Sequence, residues 1–250
     1  MADVLLRHQD EGVLYLTLNR PEVLNAFNEE LLEALAQALE DVPLSARAVL
    51  VQGSGRAFSA GQDLNEAPRS YRSHLTHYNR VIRALSRLDR PVIAALHGAV
   101  AGAGLSLALA CDLRIASEDV MLTTGFSRIG LVPDSGMSYT LPRLVGPAKA
   151  FELLAFSPRL NAEEALRLGL VNRVVPAAHL IAEAEATARE LAQGPRSLGW
   201  IKQLLQEPSP NLESALEREA EFQEQAGRTE DHQEGLRAFR EKRPPRFQGR

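Results

Sequence analysis

Residues 91–117 read PVIAALHGAVAGAGLSLALACDLRIAS, and this stretch decides between a membrane protein and a buried α/β core. Its first part, residues 91–111, has no ionised side chain and by length alone could cross a bilayer. However, it is built mostly from alanine rather than leucine, and Gly98, Gly102 and Gly104 interrupt it. It splits into a β-like PVIAAL and a helix-like LSLALA. We therefore expect a buried strand, turn and helix here.

Apolar runs bounded by turn residues predict strands on both sides of this stretch. The five predicted strands are residues 12–19, 48–52, 91–96, 112–116 and 171–175. Helices are expected between them at residues 28–41 and 147–156, and in a short segment that begins with a capping box of Asn161 and Glu164 and stops at Gly169. From periodicity alone, this alternation favours a doubly wound sheet.

The chain changes character after residue 176. We divide it into an α/β core, residues 1–176, and a helical region, residues 177–250, whose helices are broken at Gly194-Pro195 and at residues 208–210. Residues 231–250 hold six Lys or Arg and three acidic side chains. Such an excess is consistent with a solvated helix face or with phosphate contacts.

Composition excludes several classes of protein. The 250 residues are 45% hydrophobic and 24% charged with a net charge of -4, values typical of a globular protein and not of a disordered or collagen-like one. The single cysteine, Cys111, cannot form an internal disulfide, and no secretion signal begins the chain, so we expect a cytoplasmic protein. An isoelectric point near 5.9 argues against nucleic-acid binding.

Two turns combine a strand, small residues and a helix start. They are residues 56–64 (RAFSAGQDL) and residues 98–106 (GAVAGAGLS). Backbone N–H groups at such turns lack helical partners, so two turns that face each other could form an oxyanion hole. Taken singly, each turn is also consistent with close packing alone.

These turns, AFSAGQDL and AALHGAVAGAGLSLALACDLRIAS, resemble the enoyl-CoA hydratase/isomerase (crotonase) superfamily. The likeness continues in LTLNRPEVLNAF, IGLVPDSGMSYTLPRLVG, AEEALRLGLVNRVVP and EGLRAFREKRPPRFQG, and so covers nearly the whole chain. It implies an α/β spiral of ββα units whose C-terminal helical region assembles trimers or dimers of trimers. It also implies an acyl-CoA substrate, in which CoA is part of the substrate, with no other cofactor, no metal and no membrane partner.

The resemblance carries over to particular residues. It places the two oxyanion-hole N–H groups at Ala60 and Ala103. It places CoA contacts in two loops and, from a neighbouring subunit, on the last helix, at Glu22, Val23, Leu24, Ala60, Gln62, Asp63, Leu64, Phe239 and Lys242. Asp63 is more consistent with fixing its own loop than with touching a phosphate, because two anions repel.

The residues around the hole distinguish the reactions of the family. Where hydratases of the family use two glutamates, this chain has Ser106 and Phe126, and neither can act as a general base for water. Asp134 stands in the segment GLVPDSG, where the hydratase pattern has glycine. Without the resemblance, the sequence Pro-Asp-Ser-Gly predicts a turn. With it, Asp134 lies over the acyl group, and an apolar pocket of Ile129, Leu131, Val132 and Met137 would raise its pKa.

Within the superfamily, GLVPDSG and LPRLVG are most similar to the isomerases that convert ring-1,2-epoxyphenylacetyl-CoA to an oxepin thioester in phenylacetate catabolism and shift double bonds in unsaturated acyl-CoAs. Three alternatives remain open. They are a Δ3,Δ2-enoyl-CoA isomerase or hydratase of fatty-acid oxidation, an aryl-CoA dehalogenase, and a silent protein that binds acyl-CoA or RNA. The dehalogenase needs a histidine to activate water, and the sequence does not place His74, His77 or His97 convincingly for that task. Residues 66–76, expected to line the acyl pocket, receive no structural prediction.

Overall fold

The computed structural model describes residues 3–65, 70–206 and 209–250. Its strands are β1 (Leu5–Asp10), β2 (Val13–Leu18), β3 (Ala48–Gly53), β4 (Val92–Leu96), β5 (Ala99–Ala101), β6 (Leu113–Ser117), β7 (Met121–Thr123) and β8 (Arg173–Val175). Its α-helices are α1 (Glu29–Glu40), α2 (Tyr71–Arg87), α3 (Ala103–Ala110), α4 (Met137–Val145), α5 (Pro147–Phe156), α6 (Ala162–Arg167), α7 (Leu180–Ala192), α8 (Ser197–Gln206), α9 (Leu212–Gly227) and α10 (Glu230–Glu241).

Within the described residues, the main sheet has six strands in the order β1-β2-β3-β4-β6-β8. The first pair is antiparallel and the others are parallel, with Leu16 of β2 opposite Arg7 on one side and Val51 on the other. Alternate residues of the inner strands enter two cores. Leu14 and Leu16 pack with α1, and Val13 and Tyr15 pack with α7, so both faces are covered, as a parallel sheet requires.

A second layer of short pairings distinguishes this fold from the doubly wound sheet that periodicity favours. The chain leaves β4 and immediately forms β5, which pairs with β7, while isolated bridges join Phe27 to Gln62, Ser59 to Val100 and Leu122 to Leu160. Strand, short strand and helix thus recur as β4-β5-α3 and β6-β7-α4. The expectation of a doubly wound sheet is wrong, and the ββα expectation is met.

Several predicted elements are confirmed with small differences at their ends. Asn28 caps α1 by accepting a hydrogen bond from the Leu31 N–H at 3.0 Å, and the capping box of Asn161 and Glu164 opens α6. Residues 91–111 form β4, β5 and α3. No helix in the described ranges is long and apolar enough to cross a membrane.

Strands β1, β5 and β7 and helices α2 and α4 were not predicted. β1 is an edge strand with only Leu5 buried, so it carries no apolar run, and β5 and β7 have three residues each. Residues 70–76 cap and begin α2, whereas residues 66–69 of the unassigned segment lie outside the described residues.

Helix α7, although it belongs to the helical region 177–250, packs directly on the main sheet. Leu180, Ala184, Ala188 and Ala192 form a stripe with the spacing of successive helical turns and share a core with β2, β3, β4 and β6. This helix therefore anchors the C-terminal region to the α/β core.

Candidate active site

Backbone pairing brings the two small-residue turns together. The Ser59 N–H donates to the Ala99 oxygen at 3.1 Å, and the Ala101 N–H donates to the Ser59 oxygen at 3.0 Å. On the other side of the first turn, the Phe27 N–H donates to the Gly61 oxygen at 2.7 Å. The first turn therefore lies between the start of α1 and the start of α3.

Gly61 and Gly104 allow the two turns to lie this close together, because a side chain at either position would collide with the backbone of the other turn. A Cβ at Gly61, whose φ is +93°, would lie 2.7 Å from the Ala101 oxygen and 3.3 Å from the Ala103 nitrogen. A Cβ at Gly104 would lie 2.7 Å from the Ser59 oxygen. The N-terminus of α3 consequently sits directly against the first turn.

The N–H groups of the turns differ in their availability to a ligand. The Ala60 N–H donates to the Leu24 oxygen at 2.9 Å. The expectation that Ala60 offers a free N–H is therefore wrong, because its proton is already used to hold the loop of residues 20–25. Gln62 N–H and Ala103 N–H have no hydrogen-bond acceptor among the described residues. Ala103 is the first residue of α3, so its N–H has no acceptor within the helix.

The loop of residues 20–25 is held by buried polar groups that sequence reasoning missed. Asn25, with a φ of +54° and no exposed surface, donates from Nδ2 to the Ser54 and Ala57 oxygens, each at 2.8 Å. Its own backbone oxygen accepts from Ser59 Oγ at 2.8 Å. Asn25 thus locks the expected CoA loop of Glu22, Val23 and Leu24 to the first turn; its left-handed backbone gives no distinct sequence signal.

Asp63 is committed to its own loop. Arg20 Nη2 lies 3.1 Å from Oδ2, and the Asn65 backbone N–H and Nδ2 donate to Oδ1. These donors lower the pKa of Asp63, although burial acts in the opposite direction. The loop-fixing interpretation is confirmed, and a direct contact of this carboxylate with CoA is not supported by the geometry. Leu64, next in the chain, is exposed.

Asp134 lies beside α3 and its backbone is fixed from two directions. Ser106 Oγ donates to its backbone oxygen at 3.2 Å, and the Met137 N–H donates to the same oxygen at 2.9 Å. Ser106 is fully buried one turn into α3. Helix α2 covers this loop on another side, since a Cβ at Gly136 would lie 3.4 Å from Ile82 Cγ2.

Burial raises the pKa of the Asp134 carboxyl above its ordinary value. Two groups oppose this shift: the Ser135 hydroxyl, which donates to Oδ1 at 2.8 Å, and the imidazole of His74 on α2. The expected direction of the shift is confirmed, but two of the four expected pocket residues are not themselves buried. Ile129 and Val132 are exposed in the chain, and only Met137 is fully buried.

Comparison with known proteins decides the family. Residues 8–250 match the model of the enoyl-CoA hydratase/isomerase family. The chain belongs to this family. A 1,2-epoxyphenylacetyl-CoA isomerase from Escherichia coli is 41% identical over 100% of both chains, and a probable enoyl-CoA hydratase from Rhodobacter capsulatus is 40% identical over 96% of both. The crystal structure of an enoyl-CoA hydratase from Bacillus anthracis matches with a TM-score of 0.94 at 32% identity, over 99% of this chain and 100% of that one.

Membership of the enoyl-CoA hydratase/isomerase family explains the α/β spiral and makes acyl-CoA thioesters the expected kind of substrate. The two positions at which the resemblance expects hydratase glutamates are both filled by buried groups without acid–base capacity. Ser106 donates its hydroxyl proton to backbone oxygens, and Phe126 is buried in a 3-10 turn before the Asp134 loop.

Phe239 and Lys242 lie at the end of α10, outside the loops that form this site. Phe239 is 85% exposed, and Lys242 ends α10 in a left-handed conformation. Their expected role in a neighbouring subunit remains a prediction. Within residues 3–65, 70–206 and 209–250, no group of three His, Cys, Asp or Glu side chains is arranged to hold a metal ion.

Proposed function

We propose that this family member is an acyl-CoA isomerase in which Asp134 carries a proton between two carbon atoms of the acyl group. The observation that carries the proposal is the set of side chains around α3. A partly buried carboxyl group with a raised pKa is fixed there, whereas Ser106 and Phe126 occupy the positions of the hydratase glutamates. Such a site suits proton transfer better than activation of water.

The N–H groups of Gln62 and Ala103 are proposed to bind the thioester carbonyl oxygen. Their lack of acceptors among the described residues supports this role, and so does the position of Ala103 at the N-terminus of α3, where the helix dipole favours negative charge. Gln62 replaces Ala60 in this assignment. A preorganised donor of this kind contributes about 10²–10³ in rate.

The proton transfer follows from these two features. The Asp134 carboxylate removes a proton from a carbon activated by the thioester, and the electron pair of the broken C–H bond moves into a dienolate whose negative charge lies on the carbonyl oxygen. The same carboxyl group then returns the proton to another carbon, and the double bond is displaced. A raised pKa suits this task because the group must accept and release the proton near neutral pH.

The proposed natural substrate is ring-1,2-epoxyphenylacetyl-CoA. The ring C–C bond that its epoxide oxygen bridges would open, with the electron pair of that bond entering the ring double bonds to give the seven-membered oxepin, and Asp134 would move a proton from the carbon next to the thioester carbonyl to a ring carbon. The 41% identity over the full length of the Escherichia coli isomerase supports this choice. The loop of Glu22, Val23 and Leu24 and the turn around Gln62 are proposed to bind the CoA portion. Aliphatic 3-enoyl-CoA thioesters are proposed as a second class of substrate, since the same proton transfer shifts their double bond.

Product analysis tests the proposal. The purified protein is incubated separately with the ring epoxide, a 3-enoyl-CoA and a short 2-enoyl-CoA, and the products are identified by mass and ultraviolet absorbance. We expect isomerised products from the first two and very slow hydration of the third. Hydration at an ordinary enzymatic rate of about 10 per second or more would overturn the isomerase proposal in favour of a hydratase.

A further inference from the structure

Ser135 has a backbone conformation that glycine adopts at lower cost. Its φ is +51°, and Gly136 follows with a φ of +79°. A side chain disfavours this left-handed region because Cβ approaches the following carbonyl oxygen. Glycine would form the same turn without this strain, so the turn alone does not explain why residue 135 is serine. Strained positions are found where the residue itself has a role.

The side chain of Ser135 acts on Asp134. Its hydroxyl donates to Asp134 Oδ1 at 2.8 Å, and the residue is 4% exposed, so water competes little for this bond. Asp134 Oδ2 has no hydrogen-bond partner among the residues that the structure describes. One carboxyl oxygen is therefore held and the other remains available.

The rest of Asp134 is already immobile. Its backbone oxygen accepts from Ser106 Oγ at 3.2 Å and from the Met137 N–H at 2.9 Å, which ties it to α3 and α4. The remaining freedom is rotation of the side chain. Among the described residues, the Ser135 hydroxyl is the only group that donates a hydrogen bond to the carboxyl group.

We propose that Ser135 is a positioning residue, whose hydroxyl holds Oδ1 of Asp134 so that Oδ2 is presented to the acyl group. This inference deepens the proposed function, since it assumes that the Asp134 carboxylate acts on a bound acyl-CoA. Ser135 itself transfers no proton to the substrate. It keeps the base in one orientation and favours its ionised form.

The groups around the carboxyl define how its ionisation responds to Ser135. Burial raises the pKa of Asp134, and the hydroxyl of Ser135 and the imidazole of His74 on α2 lower it. The Tyr78 ring packs on His74 with centroids 5.1 Å apart, while α3 and α4 present the uncharged Ser106 and Met137. Removal of the Ser135 hydroxyl would therefore raise the pKa further and reduce the ionised fraction below that pKa.

The experiment measures kcat/KM for a 3-enoyl-CoA against pH in the full-length protein and in Ser135→Ala and Ser135→Gly. We expect the rise of kcat/KM with pH to occur at a higher pH in both variants than in the unmodified protein. At a pH below the Asp134 pKa, kcat/KM of each variant should be about tenfold lower than that of the unmodified protein, as expected for the loss of a hydrogen bond to a charged group. At high pH, where Asp134 is ionised in all three proteins, kcat/KM of the variants should return to the value of the unmodified protein. Affinity for CoA should not change.

Ser135→Gly separates positioning from strain, because it removes the hydroxyl and also relieves the left-handed conformation. A matched control is Ser117→Ala at the end of β6, which removes another buried serine hydroxyl that donates to a carboxylate, Oδ1 of Asp119. This control should leave the pH profile unchanged. If Ser135→Ala and Ser135→Gly both retain the profile of the unmodified protein, Ser135 is only a turn residue and the proposal is wrong.

A second readout does not depend on turnover. ¹³C NMR of protein labelled at aspartate Cγ follows the titration of Asp134, whose signal is assigned by its loss in Asp134→Asn. We expect a higher pKa in both Ser135 variants than in the unmodified protein. If no acyl-CoA is isomerised, the proposed function fails while this titration still tests the hydrogen bond; an unchanged titration would overturn the role of Ser135.

Discussion

At Asp134, local structure converts a turn residue into a group suited to proton transfer. The chain segment PDSG would form a turn in many proteins. Here burial raises the pKa of the carboxyl group, and Ser135 and His74 limit the rise. The balance leaves a carboxyl group that can gain and lose a proton closer to neutral pH than an exposed aspartate can.

Asp134→Asn should abolish the chemistry and spare binding. The amide preserves the shape but cannot accept the proton, so isomerisation should fall by about 10²–10⁴ while affinity for CoA stays within a few-fold. Steady-state kinetics and calorimetric titration measure the two quantities. Asp10→Asn, at an exposed carboxylate on β1, is the control and should retain full activity. Retention of most turnover by Asp134→Asn would show that another group carries the proton.

Ala103→Pro tests one backbone donor without disturbing the helix. Proline is tolerated at the first position of a helix, where its ring carbon Cδ replaces the proton on the nitrogen, and Gly102, whose φ is +50°, can precede it. We expect kcat to fall about 10²–10³ because the oxyanion loses a donor. Ala103→Gly keeps the N–H and should stay close to the unmodified protein. Thermal unfolding of both variants checks the fold, and a kcat unchanged by proline would exclude this N–H from catalysis.

Among the elements, α3 has the greatest influence on the site. Every residue from Ala103 to Leu109 is buried, so the helix has no polar face and is covered on all sides. That uniform apolar character is why the sequence resembles a membrane span. In the folded chain, α3 contributes the Ala103 N–H at its N-terminus and, one turn later, Ser106, which donates to the Asp134 backbone oxygen. The helix therefore fixes the position of the proposed oxyanion donor relative to Asp134.

Gly104→Ala should separate α3 from the first turn. The added Cβ would lie 2.7 Å from the Ser59 oxygen, so either α3 or the turn has to move, which would change the position of the proposed Ala103 donor relative to the proposed Gln62 donor. We expect kcat to fall at least about 10²-fold, since a shift of about 1 Å in a catalytic geometry has that effect. Gly227→Ala, in open space at the end of α9, should change neither kcat nor thermal unfolding. An unaffected kcat in Gly104→Ala would mean that this contact does not align the donors.

At the scale of the whole molecule, the C-terminal region and α5 leave large apolar side chains exposed. They include Phe151, Phe156, Leu205, Leu212 and Phe239. Exposed apolar groups on one molecule indicate an interaction surface. We expect light scattering at micromolar concentration to give three or six times the chain mass of 27.4 kDa. A monomeric mass would contradict both the assembly and the proposed role of Phe239 and Lys242 in a neighbouring subunit.

Lys242→Ala should weaken binding of a CoA thioester by about 1–2 kcal/mol if its ammonium group contacts a phosphate of a neighbouring subunit's ligand. High salt should reduce the difference, because exposed charges are screened. Lys149→Ala, at a half-exposed lysine paired with Glu152 on α5, is the matched control and should bind normally. Equal affinities for Lys242→Ala and the unmodified protein at low salt, measured by calorimetry, would assign Lys242 to the solvated surface.

The sequence by itself determined the features that depend on neighbouring residues. Long apolar runs predict β2, β3 and β4, the side chain of Asn28 predicts the start of α1, and the pair of Asn161 and Glu164 predicts α6. The family motifs predict that Asp134 and the two turns form the centre of the site, and the backbone pairing of the two turns is confirmed. All of these signals lie within a few residues of the structure they specify.

Only the tertiary structure decided which groups are available to a ligand. Ala60 and Gln62 lie two residues apart in the same motif, and they differ because Leu24, distant in sequence, accepts the Ala60 proton. Likewise, β5 and β7 have too few residues to form alone and exist because they pair with each other. The Asp134 pKa depends on burial and on His74, which lies far away in the sequence on α2. Hydrogen bonding and desolvation depend on distance in space, which a local sequence pattern does not contain.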